Sequence, residues 1–384
     1  MGSMKADRPR PHLALLGLQY LFYFGVFGIY LPYFNLYCYH IGFSGLQIGI
    51  ISALRSVVLV VCALIWSVLA DRFQRRRSIF IGCSLASAAA WSLYLTTDRF
   101  APMLLITLIY GVFYAPLISF LEAFSMDVLG PRKRRYGTLR AWGSIGFIAV
   151  VLVMGQVLIH HPVQIILILI LAGSTLQACC SLALPRPASG TPRPVWHGFN
   201  ALFQPRLWLF LGGAFLMLVS HGAYYGFFSI HLEQSGHAPP FIAMAWALAS
   251  MAEIVAMLRS EWLFERFSLA QVLVFSFAAA TLRWILVWSA NAPAAIVATQ
   301  ILHALTYGTF HMASILYIDT LMPPEAKTLG QALNNAVTYG LGLMVGFFLN
   351  GYLFEVLGAR SLFLVSAGIA LAGGALMALA VKEK

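Results

Sequence analysis

The sequence predicts an all-α membrane protein of twelve spanning helices, and three observations carry that reading. Of its 384 residues 60% are hydrophobic and only 10% are charged, against about 25% charged in water-soluble chains. The apolar residues fall into twelve runs, each approaching or exceeding the ~20 residues a helix needs to cross a hydrocarbon core. The excess of Lys and Arg sits in short connections on one side of those runs, the charge bias that sets membrane topology.

In chain order the runs are 13–38, 46–70, 78–97, 102–128, 136–159, 162–184, 206–232, 240–262, 269–290, 293–321, 328–355 and 361–381. An even number returns both termini to one side. Outside the runs' interiors, eighteen Lys and Arg fall on the side of the termini and only Arg99 and Arg360 fall opposite. Both termini are therefore expected to be cytoplasmic. The organisation read from this is a 1–12 cytoplasmic segment, a 13–184 six-helix half, a 185–205 central loop, a 206–381 six-helix half and a 382–384 cytoplasmic end. Gly2-Ser3 ahead of Met4 reads as a remnant of cloning, with Met4 the expected native start. The first run is membrane-length and lacks a small-residue cleavage site, so it is expected to stay as a helix. Short loops and the absence of any N-x-S/T sequon fit a bacterial inner membrane.

The net charge of +11 lies in topology-setting loops, which excludes a phosphate-tracking groove for nucleic acid. Cys38, Cys62, Cys83, Cys179 and Cys180 lie in or beside apolar runs with no CxxC spacing and no neighbouring His, so neither disulfides nor a metal site is expected. There is no GxxxxGK[ST] loop, no HEXXH and no GxSxG, and therefore no sequence sign of an ATPase or hydrolase. No cofactor is expected, and the partners are a small-molecule solute, protons and the lipid bilayer, with the chain a monomer.

The six-and-six division prompts a search for a repeat. An offset of 194 aligns YFNLYCYHIG (33–42) with FFSIHLEQSG (227–236), and the same offset sets Asp71-Arg72 on Glu265-Arg266. It also sets Phe27 on His221, Tyr30 on Tyr224 and Phe34 on Phe228. The first run carries Tyr23, Phe27, Tyr30, Phe34 and Tyr37 at steps of four and three, one face of a helix. That stripe either lines a pocket or packs against neighbours. His221, Tyr225 and Phe228 form a shorter version in the seventh run.

Ionisable residues at membrane depth are expensive and point to function. Arg55, Glu122, Arg140, Glu253, Arg283, His303 and His311 lie within the runs. In an antiparallel hairpin, residues equidistant from the turn share a depth. Glu122 and Arg140 are centred on Pro131 in the basic turn 130–135, which puts both roughly 13 Å from it at about 1.5 Å per residue. They read as a substrate-binding pair or as a structural clamp. Arg283 and His303 are centred on Pro293, and Glu253 and Arg283 on Ser268. A carboxylate, a guanidinium and an imidazole in one layer can handle protons. Three guanidiniums, Arg55, Arg140 and Arg283, then face two firmly placed carboxylates, Glu122 and Glu253, which favours an incoming anionic substrate. In the loop ADRFQRRR (70–77), Asp71, Arg72, Arg75 and Arg76 read either as a clamp between helix ends or as a solvated turn.

Two six-helix halves, the long central loop and ADRFQRRR together resemble the major facilitator superfamily, whose loop normally has Gly where Ser67 and Gln74 stand. The stretch EAF…(Y)G(T)LR(A)WGSIGF (122–147) is similar to the branch holding lactose-permease-like symporters and phenylpropionate permeases. That resemblance implies substrate binding by Glu122 and Arg140, and proton coupling by Glu253 in MAE, Arg283 in LRW and His303 in LHALTYGTFH. The chain departs from the lactose-permease pattern at three positions: Thr306 stands for a proton-accepting Glu, Gln300 for a Lys and His221 for an Asp. GSIG at 143–146 replaces the GPxGG of drug antiporters. The expected function is alternating-access, proton-coupled symport of a small organic solute. An aromatic or other small carboxylate ranks ahead of a lactose-like sugar, with an efflux antiporter, or a membrane enzyme or sensor, as further alternatives. The expected substrate-binding set is Glu122, Arg140, Arg55, Tyr23, Phe27, Tyr30, Tyr225 and Phe228. The expected coupling set is Glu253, Arg283, His303 and His221.

Overall fold

A computed structural model describes residues 11–130, 135–184 and 202–382, and among these there is no β-strand. The segment 1–10, the turn at 131–134, most of the 185–205 loop and residues 383–384 lie outside the described residues, as does the Asp71 side chain. The helices are α1 Pro11–His40, α2 Gly45–Phe73, α3 Arg76–Ser92, α4 Phe100–Tyr114, α5 Leu117–Leu129, α6 Tyr136–His160 and α7 Ile165–Leu182. There follow α8 Pro205–Gln234, α9 Pro239–Leu258, the short α10 Ser260–Arg266, α11 Leu269–Ser289, α12 Pro293–Ile301, α13 Thr309–Leu321, α14 Lys327–Asn334 and α15 Leu343–Ala380.

Among the described residues eleven helical stretches are long and apolar enough to cross a membrane, and the last, Lys327–Ala380, is 54 residues long. At about 1.5 Å per residue that is roughly 80 Å, more than twice a hydrocarbon core. It is broken at Gly358, whose φ of 72° and ψ of 164° are non-helical, so it supplies two passes and the sequence's twelve runs are all accounted for. α4 and α5 form one stretch interrupted at Pro116, where the missing N–H and the ring cannot continue the ladder.

The described chain falls into two compact units: Met1–Tyr30 with Val61–Val150 and Gln164–Pro192, and Leu31–Val60 with Val151–Val163 and Arg193–Lys384. These are groupings by packing, whereas the sequence repeat is a relation by duplication. The 194-residue offset recurs in the backbone. α1 and α8 are each 30 residues long and each begins on a proline. Each ends on a glycine in left-handed conformation, Gly42 at φ 89° and Gly236 at φ 83°. The amides of Gly42 and Phe43 donate to Tyr39 and Cys38, and those of Gly236 and His237 to Glu233 and Leu232. This is the same capping end built twice. The two ends also meet reciprocally: His40 Nε2 lies 2.9 Å from both Glu233 oxygens, and Gln234 Nε2 donates to Tyr39 Oη at 2.9 Å.

Close backbone approach is repeated as well. In the first unit a Cβ on Gly146 of α6 would lie 2.5 Å from the Leu21 carbonyl, and one on Gly28 of α1 would lie 2.9 Å from the Phe147 carbonyl. In the second unit a Cβ on Gly342 would lie 3.0 Å from the Phe215 carbonyl, and one on Gly222 of α8 only 2.5 Å from the Gly346 carbonyl carbon. Small residues at such crossings let helices associate by van der Waals packing where lipid offers no hydrophobic drive.

Candidate functional site

In the second unit, α11 and the α12–α13 stretch bring together Arg283 and His303, two of the three groups that the hairpin arithmetic puts in one layer, with His221 of α8 beside them. Arg283 on α11 is fully buried. Its Nε donates to the Thr299 carbonyl at 3.0 Å, Nη1 to His303 Nδ1 at 2.9 Å and Thr306 Oγ1 at 3.3 Å, and Nη2 to Gln300 Oε1 at 3.1 Å. Every one of these acceptors is neutral, and among the described residues no carboxylate is paired with this guanidinium. Two adjoining aromatic rings lie against it instead, with Cζ 4.4 Å from the Tyr224 centroid and 4.6 Å from that of Trp284, the two centroids being 5.9 Å apart. Ring faces offer a desolvated cation roughly 2 kcal/mol or more each, which is how a buried charge persists here without a counter-ion.

The tautomers follow from the partners. A guanidinium only donates, so His303 Nδ1 accepts and carries no proton. A carbonyl only accepts, so His221 Nδ1–H donates to the Met217 carbonyl at 2.8 Å. His221 is fully enclosed on α8, its ring 4.9 Å from Trp284 and 6.2 Å from His303. Tyr225 and Phe228, expected at the site, are present beside it: Tyr225 is 6.0 Å from His221, and Phe228 is 4.9 Å from Tyr224. Glu253 of α9 is half-buried and approaches the next stretch, its Cγ 3.1 Å from where a Cβ on Gly308 would stand. Arg283 and His303 are thus in direct contact, while Glu253 lies against Gly308, five residues on from His303.

The backbone is irregular at this point. Ala304–Gly308 forms a π-helical turn between α12 and α13, and Asn335–Gly342 forms a second between α14 and α15. Such turns recur at functional sites because each re-aims the side chains that follow. His303, Tyr307 and His311 stack in sequence, at 5.4 and 6.1 Å between centroids. His311 Nδ1 is hydrogen-bonded to Tyr339 Oη in the second π turn. A separate opening of about 710 Å³, lined by residues including Phe267, Phe275 and Thr309, is apolar and includes none of Arg283, His303 or His221.

In the first unit, the Glu122–Arg140 pair is not a direct ion pair. Glu122 on α5 is exposed and receives a long hydrogen bond from Tyr136 Oη at 3.4 Å. The Arg140 guanidinium on α6 lies 3.8 Å over the Phe24 ring and 5.8 Å from Tyr20, whose ring is 6.5 Å from Tyr136. Gly143 explains the choice: a Cβ there would meet Phe24 at 2.6 Å and Arg140 Nη1 at 2.8 Å, so its absence opens the slot that ring and guanidinium share. The two charges are linked through tyrosines rather than in contact.

The aromatic stripe of α1 disperses over several neighbours. Tyr23 stacks on Tyr114 at 5.2 Å, Phe27 lies 6.1 Å from Phe147, and Tyr30 lies 5.9 Å from Trp91. Arg55 is half-buried on α2. Of the 70–77 loop, Arg72 and Arg75 are exposed, and Arg76 reaches Asp127 of α5 only at 4.0 Å. Arg77 closes the end of α7, Nε donating to the Leu184 carbonyl at 2.6 Å and Nη2 to that of Leu182 at 2.7 Å. Gln74 has φ 52°, the one positive value among described non-glycine residues. The position where the resemblance expects Gly is therefore one whose backbone favours it.

Sequence reasoning did not single out Tyr224, Trp246, Trp284 or Tyr307. Trp284 adjoins Arg283, and Tyr307 follows His303 by one turn, so a search around each buried charge would have found them. Trp246 Nε1 is held by Ser229 Oγ at 2.9 Å, with its ring 4.7 Å from Tyr224.

Residues 13–365 match the MFS_1 like family. The chain is 26% identical over 361 residues to the probable 3-phenylpropionic acid transporter of Escherichia coli (strain K12), covering 93% of this chain and 94% of that one. It is 25% identical over 369 residues to the uncharacterized transporter YwbF of Bacillus subtilis (strain 168), covering 95% and 92%. Among solved structures, the nucleoside transporter NupG superposes with a TM-score of 0.86 at 17% identity, covering 98% of this chain and 100% of that one. At that identity the likeness concerns the fold. A family match across nearly the whole sequence, on a multi-pass helical chain with a buried polar layer, makes this protein a member of the MFS_1-like family of the major facilitator superfamily, a transporter and not an enzyme.

Proposed function

We propose that the protein is a proton-coupled symporter of a small aromatic or other organic carboxylate, working by alternating access in a bacterial inner membrane with both termini cytoplasmic. The observation that carries this reading is Arg283: a fully buried guanidinium bonded only to neutral acceptors and lying against the rings of Tyr224 and Trp284. A carboxylate can replace those acceptors with a bidentate, charge-assisted pair, and the surrounding rings suit an aryl group. Glu253, Arg283, His303 and His221 form the coupling set, and Glu122 with Arg140 a substrate-binding pair of the first unit. Close to Arg283 the one amide it meets is engaged, Gln300 accepting from Nη2 and donating to the Ile296 carbonyl and Thr299 Oγ1.

The test is uptake into proteoliposomes under an imposed inward proton gradient, with 3-phenylpropionate, lactose and uridine as parallel substrates. Gradient-driven accumulation of the acid alone is the expected result. Accumulation of the sugar or the nucleoside without the acid would reverse the assignment, and accumulation unaffected by collapsing the gradient would remove the proton.

A further inference from the structure

We propose that the coupling proton is taken by His221 Nε2, in the same pocket where Arg283 takes the substrate's carboxylate, so that anion and proton bind as one unit. This rests on the anionic-substrate reading above and assigns within it which atom carries the proton.

Two histidines lie beside Arg283, and their hydrogen bonds separate them. His303 Nδ1 accepts from Arg283 at 2.9 Å, and this contact must break before that nitrogen can be protonated. His221 is arranged the other way. Its Nδ1–H donates to the Met217 carbonyl at 2.8 Å, leaving the lone pair on Nε2. That nitrogen is fully buried and makes no hydrogen bond among the described residues. A proton arriving there forms an N–H bond and leaves the Met217 contact intact. It arrives from water on the loading side and departs with the substrate, with no other bond changed.

The groups around His221 set when this can happen. Arg283 and Trp284 face it from α11, His303 and Tyr307 from the α12–α13 stretch, and Tyr225 from its own helix. Tyr339 of the second π turn touches Tyr307, and Glu253 of α9 adjoins Gly308. In the empty site an imidazolium would stand near a buried guanidinium, and like charges at that range in a low dielectric repel strongly. A carboxylate on Arg283 removes that opposition and supplies a counter-charge. The site holding one anion and one proton then carries the same net charge as the empty site, whatever the state of Glu253. Loaded and empty carriers thus move equal buried charge, while the anion alone or the proton alone does not match.

The experiment is titration calorimetry of the full chain in detergent with 3-phenylpropionate and, as its uncharged counterpart, 3-phenylpropionamide, between about pH 5 and pH 8. Buffers of differing ionisation enthalpy report the protons taken up. The wild type should take up about one proton per acid bound, with Kd weakening about tenfold per pH unit above the histidine's titration range. The amide should show neither effect. His221→Asn, which keeps a donor for Met217, should bind the acid with a flat pH profile, and His221→Gln serves if the Asn form does not fold. Retention of the wild-type slope in either variant would overturn the proposal and leave the anion reading standing. So would binding of the acid by the wild type without proton uptake. No binding of any arylpropionate by folded wild type at any pH would remove the substrate reading and this inference with it.

Discussion

Replacing Gln300 by Glu asks directly whether the Arg283 charge is reserved for a substrate. The two side chains are nearly isosteric, so Glu can keep the 3.1 Å contact that Gln300 Oε1 makes with Nη2. That bond becomes charge-assisted, rising from about 1 kcal/mol to about 1.5–3 kcal/mol. Against this, the Gln300 amide donates to the Ile296 carbonyl at 3.2 Å and to Thr299 Oγ1 at 2.8 Å, and Glu loses both donors, at about 1 kcal/mol each. The Thr299 hydroxyl can turn to donate instead. The variant should therefore fold with stability within about 1 kcal/mol of the parent. Its affinity for an anion should not survive. A substrate carboxylate would now approach a resident one at about 5 Å, a repulsion of about 3 kcal/mol at an effective dielectric near 20. That is a loss of roughly 200-fold in Kd. Binding of 3-phenylpropionate and of its uncharged amide, measured side by side with thermal unfolding, separates the outcomes. The acid should lose far more affinity than the amide. If Gln300→Glu binds the acid within about threefold of wild type, Arg283 is not the substrate's partner.

Arg283→Lys keeps the charge but replaces a flat five-donor fork by one ammonium. Acid binding should weaken about 10- to 100-fold in the same calorimetric assay, and unchanged affinity would show that the fork geometry is irrelevant. Glu253→Gln should still take up about one proton per acid bound in the calorimetric assay, since that proton sits on His221, whereas loss of the uptake in a folded variant would move the proton to Glu253. Glu122→Gln and Arg140→Lys should each abolish transport of a protein that still inserts, while normal affinity in both reduces the pair to structure. Gly222→Ala forces a Cβ to within 2.5 Å of the Gly346 backbone and should destabilise by about 1–3 kcal/mol. Gly82→Ala, with nothing within 4 Å, is its neutral control in a thermal-unfolding comparison.

How much of this was readable beforehand depended on what each residue's position fixes. Distance from a turn fixes depth, so Arg283 and His303 were expected in one layer, and they bond at 2.9 Å. Depth does not fix the direction a side chain takes around its helix. Glu122 and Arg140 satisfy the same arithmetic, yet Glu122 meets Tyr136 while Arg140 turns onto Phe24 in the slot that Gly143 leaves. The α1 stripe shows the same limit: its period is helical, but its rings reach Tyr114, Phe147 and Trp91 on three other helices. The repeat was legible because capping glycines and helix lengths are local properties that duplication copies. The π turns were not, since nothing in the composition of ALTYG or NAVTYGLG distinguishes a wider turn from an ordinary one. Their neighbours in space, Glu253 and Arg283 for the first, come from other parts of the chain.

Thr306 and Gln300 stand out in the sequence as departures, places where lactose-permease-like proteins are expected to carry an acid and a lysine. Both side chains accept hydrogen bonds from Arg283, and both are neutral. A resident carboxylate at either position would hold the guanidinium in a permanent ion pair, leaving the pocket electrically complete before any ligand arrives and suited to an uncharged one. With a hydroxyl and an amide in those places, the donors are satisfied but the charge is not. Thr306 also removes an acidic residue that would contact Arg283 and could carry a proton, and on the proposed reading an imidazole holds it instead. On that reading substrate charge and proton carrier change together: the replacements that would leave Arg283 open to an anion would also leave His221 as the base beside it.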